Sequence, residues 1–302
     1  VELPLTSLVP DATIALGGTR HLTAGDDAVW VLDREAGVIT RVDATTNATG
    51  SPVAIGTSPC ADPLVAFKSV WVAVCGGPAL ARLDLEAAKP AELLTATIRG
   101  VGAMATGAGS VWIIADSKGA ILRVDPDTNH AVADLPVPGG AHALAFADNA
   151  LWVAGTTAAT VTRINGHTNV AQKPIAVGTG PLAIAVGEGG VWVLNTGDAT
   201  VSRIDPASGK VVTTIRLGVA TAGGAIAAGE GGVWISAPDA PLVRIDPVTN
   251  RVTHTFSGSG GGAITIGAQS LWLTATPTDI WRVDPRRVEA TRGAPGVAAG
   301  RR

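Results

Sequence analysis

A tryptophan returns about every forty residues along this chain. The positions are 30, 71, 112, 152, 192, 234 and 272, with spacings of 41, 41, 40, 40, 42 and 38. Self-similarity at this period marks an architecture of repeated units, each too small to bury its apolar faces alone. The surrounding words repeat too. VWVLDREAGVITRVD (29 to 43), VWVAVCGGPALARLD (70 to 84), VWIIADSKGAILRVD (111 to 125) and VWVLNTGDATVSRID (191 to 205) each end in an Arg-apolar-Asp tripeptide. That tripeptide occurs as Arg41-Val42-Asp43, Arg82-Leu83-Asp84, Arg123-Val124-Asp125, Arg203-Ile204-Asp205, Arg244-Ile245-Asp246 and Arg282-Val283-Asp284, with Arg163-Ile164-Asn165 as an amide variant. Seven units account for nearly all 302 residues, and Trp281 stands where the other units carry a Thr, Ser or another residue before the Arg.

Inside a unit the code is β. PLAIAV (181 to 186) is an apolar run, VWVLN (191 to 195) follows a Gly-rich turn, and TVSRID (200 to 205) and KVVTTIRLG (210 to 218) alternate. Asp125-Pro126-Asp127-Thr128-Asn129 and Asp246-Pro247-Val248-Thr249-Asn250 place Pro where φ is preset and Asn where a left-handed residue is needed, while Asp205-Pro206-Ala207-Ser208-Gly209 puts Gly there. A lone four-stranded sheet cannot bury both faces, but seven arranged radially can. The expectation is an all-β, seven-bladed β-propeller of four-stranded antiparallel blades, one domain over residues 1–302, with residues 1–12 and 294–302 as terminal extensions. The tryptophans should fill the spaces between blades. Arg and Asp, two apart on the third strand, should bridge blade edges and open the following turn. TIALG (13 to 17) matches TIRLG (214 to 218), so the N-terminus is expected to supply the outer strand of the last blade; VEATRG (288 to 293) is the competing candidate.

These units resemble bacterial seven-bladed propellers of the YVTN-repeat and virginiamycin B lyase-like group, and the resemblance covers nearly the whole chain. It implies the propeller fold. It also implies a divalent-metal lyase or hydrolase as one possible activity, since such a lyase carries a carboxylate three residues after the repeated aromatic and a His and Glu used with Mg²⁺ in its late blades. Here the positions three after Trp are Asp33, Val74, Ala115, Gly155, Asn195, Ala237 and Ala275, so Asp33 alone keeps the acid. The late blades offer Asp239 and Asp279 but no His near the axis.

Composition narrows the function classes. A net charge of -3 without a Lys/Arg block argues against nucleic acid. No run of about 18 apolar residues is present to insert into a membrane. The chain begins at Val1 without an initiator Met, as a trimmed or processed chain would. No HExxH, CxxC, GxSxG or Walker loop occurs.

Ligands of propellers meet the face built by loops entering the first strands and joining second to third strands. On that face the sequence places Arg20, His21, Asp33, Arg34, Asp62, Arg99, Asp116, Lys118, His142, Asn195, Asp198 and Asp239, crowded toward the first three units. His21, Asp62 and His142 are candidates to converge at the channel mouth, where with Asp33 they have the chemistry of metal ligands or an acid/base pair; loop histidines that are merely solvated are the alternative. Cys60 precedes a first strand and Cys75 ends the adjacent antiparallel strand, which brings their Cα atoms to about 5.5 Å and predicts a disulfide. Two buried thiols of a reducing compartment are the alternative. A bridge implies an oxidising location. The function read from these residues is a non-catalytic, extracytoplasmic binding or sensor propeller without a cofactor, recognising a protein, peptide or glycan. A lyase or hydrolase using Mg²⁺ or another divalent cation is the rival.

Overall fold

The computed structural model describes residues 1–16, 20–56, 58–75, 79–85, 92–94, 98, 102–116, 118–137, 140–221, 223–238 and 240–291. Arg99, Asp239 and residues 294–302 lie outside them, as does the side chain of Arg20.

Seven antiparallel sheets each run inner, second, third, outer strand in order. Blade five is representative, with strands Pro181–Gly187, Gly190–Asn195, Thr200–Asp205 and Lys210–Arg216. The inner strands touch in cyclic order, and that of blade seven, Ile264–Gly267, touches that of blade one, Arg20–Ala24, closing the ring. Closure is made as the TIALG match predicts. Ala12–Ala15 is the outer strand of blade seven, antiparallel to Asp279–Val283 with Thr13 opposite Trp281. The rival segment is not a strand: Pro285–Ala290 is a short helix, capped by the Asp284 carboxylate accepting from the Arg286 amide, with Pro285 at its first turn. Residues 2–4, taken from sequence as an extension, instead add a fifth strand, parallel, to the outer edge of blade six. Leu3, Leu5 and Leu8 are buried there against Phe256 and Trp281, so apolar burial rather than the repeat organises the first turn of chain.

Each tryptophan sits on a second strand and packs toward the next blade: Trp30 with Val70 and Val72, Trp192 with Val233 and Ile235, and Trp272 of blade seven with Val29 and Val31 of blade one. The indole N–H of Trp71, Trp112, Trp192, Trp234 and Trp272 donates to a carbonyl five residues back, as Trp192 does to Gly187 at 3.0 Å, so the ring's polar atom is satisfied inside the core, whereas that of Trp152 is buried without a hydrogen-bond partner among the described residues. Above the indole lies the tripeptide Arg. Six guanidinium carbons stand 4.6 to 5.6 Å from the ring centroids of Trp71, Trp112, Trp152, Trp192, Trp234 and Trp272. Several of these arginines then cross to the neighbouring blade. Arg203 Nη1 donates to Pro247 O and Asn250 Oδ1, both at 2.7 Å, and Arg82 Nη1 donates to Pro126 O and Asn129 Oδ1 at 2.5 and 2.6 Å.

The turn asparagines therefore have two jobs. Asn129, Asn169 and Asn250 adopt φ of 60°, 61° and 57° and also accept from the preceding blade's Arg. Gly209 takes the same conformation, φ 65°, but has no amide to offer Arg163. Blade seven has no outer hairpin of its own, and there Glu289 of the terminal helix pairs with Arg244 instead. The tripeptide acids close their turns as predicted: Asp43 Oδ1 accepts from the Thr45 and Thr46 amides at 3.0 and 2.8 Å. Those bonds, that from the Thr46 backbone foremost, hold its carboxyl down to about 2.

Candidate functional site

The loop face is best defined where blades one and two meet. The second strand of blade one, Ala28–Asp33, ends in an Asx turn, with Asp33 Oδ1 accepting from the Glu35 and Ala36 amides at 3.0 and 2.9 Å. That turn sends Arg34 across the junction, where its Nε donates to Pro59 O at 2.8 Å. On the inner strand, His21 Nδ1 lies 2.5 Å from Asp62 Oδ1, and Arg34 Nη1 lies 3.5 Å from His21 Nε2. With an arginine beside Nε2, the network assigns the neutral ring's proton to Nδ1, directed at the carboxylate. His21 is 23% and Asp62 63% exposed, so the carboxylate faces water while the imidazole backs it.

The segment carrying Pro59 and Asp62 is itself fastened. Cys60 and Cys75 form the disulfide the sequence predicts, Cα–Cα 5.6 Å. Beside it Cys60 N donates to Ala73 O and Cys75 N to Ser58 O, each at 3.0 Å. A bridge closing a loop of this size contributes about 3 kcal/mol in the chain-entropy account. The position is tight, since Gly102 lies so close that a Cβ there would stand 2.9 Å from Cys60 Sγ.

The remaining predicted residues separate into other surroundings. His142 is half-buried, and burial pushes its imidazole below the ordinary histidine value; no hydrogen bond or ion pair joins it to His21 or Asp62 among the described residues. Asp116 Oδ1 accepts from the Lys118 amide at 2.7 Å. Both border an open groove of about 640 Å³ on blade three with Asp134, Pro136 and Val137. Asn195 is fully buried and donates to Thr200 Oγ1 and Ser202 Oγ at 3.0 and 2.9 Å. Asp198 accepts from the Thr200 hydroxyl and the Thr179 amide. Burial raises the Asp198 carboxyl's pKa, and these hydrogen bonds outweigh it, leaving the carboxyl below its ordinary value. In blade five Asn195, Thr200 and Ser202 thus form a buried network, with Asp198 at its exposed end.

A divalent cation does not fit this donor set. Asp33 closes its own turn, His21 and Asp62 occupy one another, and no three His, Cys, Asp or Glu residues come together as ligands among the described residues. What the cluster offers is a rigid carboxylate, imidazole and guanidinium set at hydrogen-bonding spacing. Sequence reading did not find the Pro59 carbonyl, whose role depends on backbone geometry. It also missed a second recess, of about 670 Å³, on the opposite face between blades seven, one and two, lined by Asp26, Asp27, Trp30, Phe67, Lys68 and Gln269 among others. Its signal is Phe67-Lys68, in a turn where blade four has Asp148-Asn149 and blade five Glu188-Gly189.

No helix of the described residues is long and apolar enough to cross a membrane. No family model and no curated protein matches the sequence. Solved structures do match in fold. Virginiamycin B lyase from Staphylococcus aureus superposes with a TM-score of 0.76 at 17% identity, over 90% of this chain and 97% of that one. The WD40 domain of Neurospora crassa Pan2 gives 0.74 at 12%, over 92% and 95%. BamB from Moraxella catarrhalis gives 0.63 at 14%, over 91% and 99%. The chain is a seven-bladed propeller by its own seven sheets, and at these identities its likeness to the three proteins is one of fold alone.

Proposed function

We propose that this chain is a non-catalytic, extracytoplasmic binding propeller that presents its loop face at the junction of blades one and two to a protein, peptide or glycan. The observation that carries this reading is the fastened cluster of His21, Asp62 and Arg34: polar, partly exposed, and held by a disulfide on a rigid sheet edge. Acceptors and donors fixed in this way recognise hydroxyl, amide or charged groups with little ordering cost. The disulfide supports an oxidising compartment. Fold likeness does not choose among functions, because a lyase, a WD40 domain and BamB share the architecture. The rival reading as a metal-dependent lyase or hydrolase requires Asp33 and His142 to join His21 and Asp62, whereas Asp33 is engaged in its turn.

The test is a screen of the intact protein on glycan and peptide arrays, followed by titration of any ligand found against Arg34→Ala and Asp62→Ala. Loss of affinity of about tenfold or more in either variant, with unchanged melting, supports the assignment. Full affinity in both would remove the site from this corner. Turnover of the ligand would remove the non-catalytic reading.

A further inference from the structure

In six blades an arginine lies over the repeated tryptophan, and the six indoles are 0% exposed. Blade one departs. Arg41 is drawn sideways, Nη2 donating to Asp27 Oδ2 at 2.7 Å and Nη1 to Asp43 Oδ2 at 3.3 Å. Trp30 is left 7% exposed. It forms part of the wall of the 670 Å³ recess on the face opposite the loop cluster.

Two further features give that recess a chemical sign. Asp26 and Asp27 are exposed on its rim, and Asp26 has no ion pair among the described residues. Lys68, the cation of the lining, is not free. Phe67 is 39% exposed at φ 51°. That is a left-handed conformation costly for a bulky side chain and suited to Asn, Asp or Gly. The same turn position has φ of 49° to 52° in Ala108, Asp148, Glu188, Glu230 and Ala268, so the turn is common to the blades and what is particular to blade two is the exposed aromatic it carries.

We infer that this recess binds an arginine side chain of a partner polypeptide, with the guanidinium against Trp30 and Phe67 and its charge met by Asp26, Asp27 being already paired with Arg41. The molecule itself shows six times what chemistry settles beside this indole, and in blade one that place is left to another chain. The inference does not rest on the loop-face reading, since the residues and the face are different.

The experiment titrates the intact protein with acetyl-Gly-Arg-Gly-amide and with the same peptide carrying citrulline, following the Trp30 indole N–H by NMR. The arginine peptide is expected to saturate and the citrulline peptide to bind at least about tenfold more weakly, because shape is kept and charge removed. Asp26→Asn should weaken the arginine peptide severalfold. Phe67→Asn is the variant that separates function from folding: it should raise the melting temperature, Asn tolerating the turn, and still weaken binding. Equal binding of the two peptides, no saturable binding, or a Phe67→Asn protein that binds unchanged would overturn the assignment. Arginine amide binding as tightly as the peptide would assign the recess to a small cation and overturn the polypeptide partner.

Discussion

Blades five and one carry the same tryptophan and the same arginine, and the arginine does opposite things. In blade five, Arg203 lies 4.8 Å from the Trp192 ring and reaches the carbonyl of Pro247 and the amide of Asn250, so it ties two blades over a sealed indole. In blade one, Arg41 is 36% exposed and pairs within its own blade with Asp27, which is 82% exposed. A pair in such surroundings contributes little, about 0–1 kcal/mol, because water screens it. The difference lies in one neighbour: blade five turns through Glu188-Gly189, whereas blade one presents Asp26-Asp27. Repetition therefore marks what holds the ring, and departure from it marks side chains that the ring does not need. Blade one has both departures, the tryptophan without an arginine over it on one face and the His21–Asp62–Arg34 cluster on the other.

The largest effect should follow loss of a repeated residue. Trp192→Ala removes a fully buried indole between blades five and six and should cost about 3–5 kcal/mol in denaturant unfolding. A smaller effect would mean that the blades collapse around the gap. Next comes the corner of blades one and two. Cys60→Ser with Cys75→Ser should cost about 3 kcal/mol. It should also loosen the Pro59 and Asp62 segment, seen as faster amide exchange over residues 58–62. Unchanged exchange there would mean that the backbone bonds alone hold it. Asn250→Gly keeps the left-handed turn and removes one acceptor of Arg203, so it should cost about 1 kcal/mol, comparable to one hydrogen bond.

The smallest effect at neutral pH belongs to the turn acids. Asp43 is held near 2, and Asp125, Asp205 and Asp246 are also lowered, chiefly by backbone N–H groups of Thr128, Ser208 and Thr249. Folded values below the unfolded one stabilise the protein above the ordinary carboxylate value of 3.8, and that contribution is lost as pH falls through the folded values. Melting temperature should therefore drop steeply from pH 4 toward 2. Asp43→Asn should shallow the drop while changing little at pH 7, because Asn165 already fills the same place in blade four with bonds to the His167 and Thr168 amides.

Most of the architecture was legible because it is periodic. The tryptophan spacing, the Asp-to-Asn turns, the match of TIALG to TIRLG and the Cys60–Cys75 pairing each report a local rule that the fold obeys. What escaped lies outside the period. Residues 2–4 join blade six in parallel because Leu3, Leu5 and Leu8 find an apolar edge, and no repeat copy of them exists to announce it. Glu289 replaces an asparagine in pairing with an arginine from a helix, a substitution of chemistry without likeness of sequence. At the site, His21 and Asp62 could be placed together because they stand at matching positions of adjacent first strands. His142 was grouped with them because first-strand residues converge on the axis; it is half-buried, and no hydrogen bond or ion pair joins it to either among the described residues. Asn195 looked like a loop group, and the Thr200 and Ser202 hydroxyls hold it in the interior, while Asp198 stays exposed and accepts from the Thr200 hydroxyl.

The comparison of blades one and five is tested most directly by unfolding Arg203→Ala and Arg41→Ala in one denaturant series. The account predicts a loss of about 2 kcal/mol or more for Arg203→Ala, from charged hydrogen bonds and the covered ring, and less than about 1 kcal/mol for Arg41→Ala. Equal losses would contradict it, for they would show that Arg41 clasps its tryptophan as the others do.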